Sequence, residues 1–390
     1  MTSELSFLEL YYALNRCLWN RTILHQSKDC DPLERQLHIL AKHLNIQNEQ
    51  VDAQSNRVIH YALIDSHPDV LSLKKYLSNH SNYKVDGQLD TDKMSTDFLL
   101  LMALRDRRAK KLEYDSYATM ILDLEGIKLD DLRITLNKHL ESEIDHAKKL
   151  ITKYDMHLDK WYSRLRQIEC GQAINHIKLL DQFMQYFPEA SENLVIERHV
   201  SNRAGFAIEF EPNVIHINVK NVNTLFDMSV FFHQLGHGLS HALDTSVGMK
   251  RIYSNFYEEL TGVLVERFLG KMLGEKSEKC LNDIRRLQYV RFNIEALYEL
   301  DLWFSTTSPE DLFRAHYEKI IGNLDEAPIS TVQALRLSEP LYMYNYILAD
   351  RAAKKIIDEG PDTLKGLASH LVNEVFKQGE LTKWVKIALE

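Results

Sequence analysis

Two histidines one helical turn apart are the residues of this sequence whose types and spacing best suit metal chemistry. They are His233 and His237, within the apolar run FFHQLGHGLSH. Residues four apart lie on one face of a helix, so both imidazoles can reach a single zinc ion at about 2.0–2.1 Å. Two ordinary core or surface histidines can share this spacing, so the pair alone does not establish a zinc site.

A catalytic zinc ion needs a third protein ligand, and a downstream helix offers carboxylates. In the segment SNFYEELTGVLVERFL, Glu259 and Glu266 are seven residues apart and share a helical face. This arrangement suits Glu259 as a metal ligand and Glu266 as the support of a ligand histidine. Glu258 points about 100° away and is the second candidate ligand. A solvated acidic face is the alternative interpretation of the same pattern.

The histidine helix carries three further residues that call for an explanation. Three ligands stacked along one helix cannot surround a tetrahedral ion well, so we expect His241 to support the site or lie at the surface. Gly236 and Gly238 each cost roughly 1 kcal/mol relative to alanine inside a helix. We therefore expect a strand or a substrate to approach closely at these glycines.

The elements that must position these residues are predicted to be mostly helices. Only three glycines occur before residue 200, and no proline occurs between Pro68 and Pro188. From about Leu132 to Met184, apolar residues recur at three- and four-residue spacing, which predicts an amphipathic helix face. The sequence thus predicts a helical N-terminal region over residues 1–190 and a second, mostly helical region over residues 191–390 that contains the histidine pair.

Two short strands are predicted just before the histidine helix. The segments AGFAIEF and NVIHINV alternate or are β-branched, which favours a hairpin-like pair. We expect NVIHINV to be a sheet edge onto which an extended peptide could add by main-chain hydrogen bonds.

Composition narrows the function further. The 390 residues are 45% hydrophobic with a net charge of −9, which gives no support for a nucleic-acid or anionic-membrane partner. No apolar stretch approaches the ~18 residues of a transmembrane helix, and the N-terminus lacks the pattern of a signal peptide. The cysteines lie far apart and predict free thiols in a reducing cytoplasm rather than disulfides or a zinc knuckle. They are Cys17, Cys30, Cys170 and Cys280.

Three blocks of the sequence resemble the thimet oligopeptidase and oligoendopeptidase F family of zinc peptidases. RAGFA (203–207), NVIHINV and HQLGHGLSH resemble the family's R-x-G-A-type segment, strand and H-E-x-G-H-x-x-H motif. FYEELTGVLVE resembles F-x-x-E-x-x-S-x-x-x-E, and PLYMYNYILA (340–349) resembles a tyrosine-rich F-Y-x-Y-x-Y-A stretch. The resemblance covers roughly residues 200–350, and the N-terminal half matches only in being helical.

The resemblance implies a mainly α fold in which two largely helical halves enclose a channel for short peptides, with a small sheet beside the zinc helix. It implies one zinc ion on His233, His237 and Glu259. It favours Tyr346 as the donor to a developing oxyanion, with Tyr342 as the second choice. Further candidates near the cleft, for which structural roles are equally plausible, are Arg203, His216 and Tyr344; in a helix, Tyr344 points away from the other two tyrosines.

The sequence departs from the family at several positions. The glutamate that serves as the general base in H-E-x-x-H is Gln234 here. The family's third histidine is Ser240, its serine in the second block is Gly262, and Arg336 stands near the place of another histidine. A neutral amide cannot take a proton, so the chain as written should bind zinc and peptide yet be nearly inactive.

Three hypotheses follow from the glutamine. Glutamine has nearly the same shape as glutamate. The first hypothesis, which this similarity favours, is a zinc oligopeptidase in which experimenters replaced the glutamate to trap a substrate. The second hypothesis is a natural pseudopeptidase that binds peptides without cutting them. The third, from a different class, is a helical interaction scaffold without metal. The substrate and the oligomeric state cannot be inferred from the sequence.

Overall fold

The computed structural model describes most of the chain, and the statements below concern the described residues. These are residues 2–22, 24, 29–46, 53–85, 88–168, 175–197, 205–219, 222–244, 254–321, 339–377 and 381–390. The predicted fold class is confirmed, because helices dominate and a small sheet of three strands precedes the histidine helix.

The helices of the first half of the chain are α1 (Thr2–Thr22), α2 (Asp31–Ile46), α3 (Ala53–Asp65), α4 (Pro68–Ser78), α5 (Thr91–Lys110), α6 (Tyr117–Leu124), α7 (Leu129–Lys153), α8 (Trp161–Gln167) and α9 (His176–Met184). Those of the second half are α10 (Leu225–Leu243), α11 (Asn255–Leu273), α12 (Glu275–Phe304), α13 (Pro309–Ile321), α14 (Tyr344–Glu359), α15 (Leu364–Leu371) and α16 (Leu381–Leu389). None of these helices is long and apolar enough to cross a membrane, as far as the described residues show.

The predicted helix from Leu132 to Met184 is interrupted. Its first part lies within α7, which ends at Lys153. Asp155 then adopts a left-handed conformation (φ 49°), which non-glycine residues rarely adopt inside a helix. The chain continues through α8 and α9 as separate short helices, so the apolar spacing predicted the helical state but not the break.

The small sheet has one parallel and one antiparallel pairing. Its strands are β3 (Leu194–Glu197), β4 (Gly205–Glu211) and β5 (Val214–Val219), in the order β3-β5-β4. The predicted pairing of β4 with β5 is present, and a turn with Asn213 at positive φ (66°) joins the two strands. A separate two-stranded ribbon joins β1 (Lys84–Val85) to β2 (Gln88–Leu89).

The expectation that NVIHINV forms a sheet edge is wrong. This segment is β5, which lies between its two neighbours and pairs in parallel with β3 and antiparallel with β4. Strand β3 was not predicted, because its four residues are too few to show a periodic pattern. A third strand on the far side of β5 removes it from the edge and leaves β3 and β4 as the outer strands of the described sheet.

The chain divides into two compact units whose segments interleave along the sequence. Unit 1 comprises residues 1–7, 31–148 and 290–344, and unit 2 comprises residues 8–30, 149–289 and 345–390. Both units take segments from either side of residue 190. The division into regions 1–190 and 191–390, like the channel between them, stays a prediction.

Unit 1 buries a charged cluster around Asp65. One oxygen of this carboxylate accepts hydrogen bonds from Nε and Nη2 of Arg105, at 2.9 and 2.7 Å. The other oxygen accepts a hydrogen bond from the hydroxyl of Tyr117. The Arg105 side chain is fully buried and also faces the Tyr117 ring at 5.4 Å. The positive and negative charges of this cluster therefore come from the protein itself.

Unit 2 holds its two long central helices together with aromatic side chains. Phe183 packs edge-on against Phe232 of α10 and Phe268 of α11, with ring centroids 5.0 and 5.9 Å apart. Phe187 adds a second contact to Phe268 at 5.5 Å. These rings are all buried, so the side of α10 and α11 that carries them is anchored in the core.

The prediction of free thiols is wrong for the described cysteines. Cys17 and Cys30 form a disulfide in unit 2, and Cys280 is also disulfide-bonded. Distances between cysteines in the sequence gave no sign of this pairing, because only the fold brings remote residues together. Disulfides persist mainly in oxidising compartments, so the cysteines no longer support the expectation of a cytoplasmic protein.

Candidate metal centre

Helix α10 presents the two histidines of the sequence motif side by side. The helix begins at a Thr224 cap, whose hydroxyl accepts a hydrogen bond from the backbone N–H of Asp227 at 3.1 Å. One turn separates His233 from His237, and their ring centroids lie 4.6 Å apart with the planes at right angles. His233 is buried and His237 is partly exposed. The predicted common face is therefore present.

Glycines let helix α11 approach this face. A Cβ atom on Gly236 would lie 2.6 Å from Cα of Gly262 and would also clash with the backbone of Thr261. A Cβ atom on Gly262 would lie 2.7 Å from both ring nitrogens of His233. On the other side of α10, a Cβ atom on Gly238 would lie 2.8 Å from side-chain carbons of Leu194 and Ile217 in the sheet. The expected close approaches thus come from a helix at Gly236 and from strands at Gly238.

The contact between these helices brings Glu259 to the two histidines. Its Oε2 atom lies 3.1 Å from Nε2 of His233, and Glu259 is almost completely buried. Candidate ligand atoms of His233, His237 and Glu259 all lie within 4.8 Å of one another. Ligands about 2.0–2.2 Å from a tetrahedral zinc ion stand roughly 3.4 Å apart, so small side-chain adjustments suffice for this group to hold the ion.

A second carboxylate and an arginine lie behind His233. The Nδ1 atom of His233 is 2.6 Å from Oε1 of Glu266, which leaves Nε2 directed at Glu259. On its other oxygen, Glu266 lies 3.7 Å from Nε of Arg285, which is also buried. This is the arrangement expected for a carboxylate that orients a metal-binding histidine. Arg285 was not predicted from the sequence, because it follows Glu266 by nineteen positions and belongs to no motif.

Glu258, the second candidate ligand, turns to a different side. One of its oxygens lies 2.9 Å from Nε2 of His241, and the other lies 3.4 Å from Nδ1 of His237. The structure therefore places Glu258 behind His237 and groups Glu259 with the candidate ligand atoms. His241 is partly buried on α10 and contacts Glu258, and its role in supporting the site stays a prediction.

The carboxylates around His233 favour a positive charge at the candidate centre. Burial opposes a charge on His233, but the carboxylates of Glu259 and Glu266 outweigh burial and raise its pKa to about 10. Burial and the neighbouring charge of His233 lower the pKa of His237. A metal ion bound here would take the place of the proton on His233, since metal ligands must be deprotonated.

Tyr346 is the tyrosine that lies at the centre. Its hydroxyl hydrogen-bonds Glu259, and its ring centroid lies 5.9 Å from that of His233. Burial and the carboxylate of Glu259 raise the pKa of Tyr346 well above its usual range, so the phenol stays protonated as a hydrogen-bond donor. Tyr289 lies next to it, with ring centroids 6.4 Å apart, and was not expected from the sequence.

The other two tyrosines of the run have different surroundings. Helix α14 begins only at Tyr344, so Tyr342 precedes it and the helical face assumed for Tyr342 and Tyr346 does not form. Leu341, just before Tyr342, has a positive φ of 61°. Tyr344 is buried in unit 1, where burial and the charge of Glu125 raise its pKa.

The remaining sequence candidates differ in what the structure shows. Gln234 is half-buried on α10, and among the described residues no partner hydrogen-bonds its side chain. His216 pairs with Glu197 on β3, stacks on Phe210 at 3.8 Å and meets Trp19 of α1 edge-on, and none of these partners belongs to the ligand group. Arg203 and Arg336 lie outside the described residues.

Comparison with solved structures reveals a shared fold. No family model matches the sequence, and no curated protein matches it significantly. An M32 carboxypeptidase from Deinococcus radiodurans R1 superimposes with a TM-score of 0.66 at 10% identity, over 99% of this chain and 94% of that chain. This chain shares the fold of that carboxypeptidase. PZ peptidase A, solved with an inhibitor, gives a TM-score of 0.67 at 13% identity, over 95% of this chain and 85% of that chain.

A putative oligoendopeptidase F from Bacillus anthracis str. Ames gives a TM-score of 0.51 at 12% identity, over 99% of this chain and 80% of that chain. The likeness therefore extends over nearly the whole chain, including the N-terminal half for which the sequence showed only helical character. It also includes carboxypeptidases, which the sequence analysis did not name.

Proposed function

We propose that this chain is a zinc-dependent oligopeptidase that binds short peptides and whose hydrolytic step is blocked at Gln234. The observation that carries the proposal is the convergence of His233, His237 and Glu259 from two helices in a metallopeptidase fold. A scaffold without metal would have no need for buried ligand atoms grouped within 4.8 Å, since buried polar groups carry a desolvation cost.

The ligand set favours zinc over magnesium or calcium. Two imidazoles and one carboxylate suit zinc, whereas magnesium and calcium prefer oxygen ligands. A zinc ion bound here would acidify a water molecule and polarise the carbonyl of a peptide bond. The chain's own residues then bind the peptide, orient it and handle protons.

Gln234 occupies the place of the residue that would move the proton. Its amide can hold a water molecule or a peptide by hydrogen bonds, but it cannot accept a proton as a carboxylate does. General acid–base catalysis is worth about 10²–10⁴-fold, which is the activity we expect this chain to lack. Tyr346 remains able to donate a hydrogen bond to the oxyanion that develops during peptide hydrolysis.

Strand β4, rather than β5, is the sheet edge that serves the peptide in this proposal. Its far end is covered by helix α1, because Asn15 and Arg16 donate hydrogen bonds to the carbonyls of Glu209 and Phe210 at 2.9 and 2.8 Å. An extended peptide would therefore pair with the first part of the strand, Gly205–Ile208. This limit agrees with a preference for short peptides.

Two measurements on purified protein test the proposal. Elemental analysis should find close to one equivalent of zinc, and a zinc content far below one would leave only the metal-free scaffold. Mass spectrometry should then find cleaved products when Gln234→Glu protein is incubated with a peptide library. Internal cuts would identify an endopeptidase, and removal of single C-terminal residues would identify a carboxypeptidase. Zinc binding without any product would instead identify a peptide-binding pseudopeptidase.

A further inference from the structure

A connected series of polar side chains lies behind the ligand His237. Glu258 stands 3.4 Å from Nδ1 of His237 and 2.9 Å from Nε2 of His241. The other ring nitrogen of His241 lies 3.5 Å from Oε2 of Glu209. The hydroxyl of Tyr12 donates to this same Glu209 oxygen at 3.3 Å. The series therefore runs from the metal ligand to helix α1, and all its members belong to unit 2.

Glu209, a buried member of this series on β4, is held in place by hydrogen bonds to its neighbours. Its Oε1 atom accepts a hydrogen bond from the backbone N–H of Asn213 at 3.0 Å, in the turn after β4. Its backbone carbonyl accepts a hydrogen bond from Asn15 at 2.9 Å. Four separate elements thus contribute, namely α11, α10, β4 and α1. A side chain held by strand and turn is a rigid support for the groups that follow.

His241 holds the Glu258 carboxylate in a defined orientation. With one oxygen of Glu258 engaged by His241, the other is left facing the Nδ1 atom of His237. Among the described residues, that buried Nδ1 atom has no hydrogen-bond partner, and Glu258 is the acceptor near it. A small closing movement would give the hydrogen bond that directs the opposite nitrogen of His237 at the metal.

We propose that Glu258, His241 and Glu209 are positioning residues that orient His237 toward the metal. This inference rests on the proposed metal centre. The two ligand histidines are then supported differently: His233 by a carboxylate beside Arg285, and His237 by a carboxylate beside another histidine.

Metal competition on the full-length protein tests the inference. Zinc affinity is measured against a chromophoric chelator, and the absorption bands of the cobalt-substituted protein report ligand geometry. His241→Ala should weaken zinc binding about 10–100-fold, as outer residues of metal sites typically do. It should also shift the cobalt bands. His241→Gln can still donate to Glu258, so it should recover most of the affinity and the original bands.

Two controls separate positioning from folding. His157→Ala removes an exposed histidine of the same unit and should change neither the affinity nor the spectrum. Glu258→Gln keeps the shape of the side chain but removes the charge next to His237, and it should weaken zinc binding like His241→Ala. Circular dichroism of each metal-free variant should match the wild type.

The outcomes distinguish the inference from the proposed function. A wild-type protein that holds no zinc or cobalt would overturn the proposed metal centre. Normal metal binding in the wild type, with affinities within about twofold and identical cobalt bands in His241→Ala and Glu258→Gln, would overturn only the positioning role. If His241→Ala fails to fold, Glu258→Gln alone decides between the two results.

Discussion

Each compact unit buries a charged cluster, and the two clusters are built in opposite ways. In unit 1, the carboxylate of Asp65 receives hydrogen bonds from Arg105 and Tyr117, so its charge is balanced by a permanent cation of the protein. In unit 2, Glu259 and two imidazoles direct candidate ligand atoms at one another. These imidazoles must be neutral to bind a metal.

The two clusters differ in how their buried charges are balanced. A buried carboxylate with an arginine is satisfied without any ligand, and removal of one partner leaves an uncompensated charge. In the cluster around His233, the carboxylates of Glu259 and Glu266 outweigh burial and raise the pKa of that histidine to about 10, so His233 carries a proton in the metal-free protein. The charge of the first cluster is balanced within the protein, whereas in the second we propose that a metal ion replaces the proton of His233.

The largest expected effect is an increase in the rate of peptide hydrolysis on substitution of Gln234. Gln234→Glu should raise peptide hydrolysis about 10²–10⁴-fold, because a carboxylate can accept the proton that the amide cannot. Peptide cleavage rates at fixed zinc concentration give the measurement. Gln185→Glu, which adds the same charge at an exposed position of unit 2, should leave the rate unchanged. A Gln234→Glu protein that is as slow as the wild type would contradict the assignment of position 234.

Removal of the ion pair between Asp65 and Arg105 in unit 1 should lower stability without changing zinc binding. Asp65→Asn leaves Arg105 buried without its charge partner and should lower the free energy of unfolding by about 3–5 kcal/mol. Denaturant titration gives the value, and zinc affinity should not change. Asp69→Asn is the matched control, because the pair of Asp69 with Arg108 is more exposed and should contribute less than about 1 kcal/mol. Equal losses in both variants would disprove the contrast.

Removal of the metal should destabilise the protein through the ligand group. A ligand present at about 100 times its Kd stabilises the native state by about 2.7 kcal/mol. A chelator should therefore lower the midpoint of thermal unfolding of the wild type. The same chelator should have little effect on Glu259→Gln, which lacks the carboxylate ligand. A chelator effect of the same size in Glu259→Gln would place the metal elsewhere.

A single methyl group should disturb the metal centre through packing. Gly262→Ala puts a Cβ atom 2.7 Å from the ring nitrogens of His233, and overpacking of this kind costs about 1–3 kcal/mol. We expect weaker zinc binding in the chelator assay. Gly270→Ala on the same helix meets only the flexible side chain of Glu278 at 3.3 Å and should keep its zinc affinity. Unchanged affinity in Gly262→Ala would mean that α11 can move aside.

The smallest expected effect is that of acid on the Asp65 cluster of unit 1. Burial raises the pKa of Asp65, but Arg105, Lys74 and Tyr117 outweigh burial and lower it below its ordinary value. The stabilisation is thus present above the ordinary pKa of about 3.9 and is lost as the pH falls through the lower value in the folded protein. Thermal unfolding between pH 6 and pH 3 should show this loss in the wild type. Asp65→Asn should show a shallower dependence.

The candidate centre shows how far local sequence patterns reach. The spacing of His233 and His237 placed two imidazoles on one face because the helical repeat is the same in every protein. The same repeat put Glu259 and Glu266 together on α11. It could not reveal how α11 is turned against α10, and that rotation separates Glu259, with its 3.1 Å approach to His233, from Glu258.

Long-range contacts account for the predictions that failed. Whether β5 was an edge depended on β3, a strand that begins twenty residues earlier in the chain. The disulfide of Cys17 and Cys30 depended on a distance that no sequence pattern encodes. Arg285 and Tyr289, which lie beside Glu266 and Tyr346, belong to no motif, since only packing brings them to the candidate centre.

The sequence by itself determined the helical class, the histidine pair, the spacing of the carboxylates and the glutamine at position 234. These features depend on residue type and on the regular geometry of one helix. Only the tertiary structure decided which carboxylate joins the histidines, which strand is exposed, and why Gly236, Gly238 and Gly262 lack side chains. Those features depend on the packing of separate elements. At a glycine contact, a single added Cβ atom decides whether two helices can approach each other.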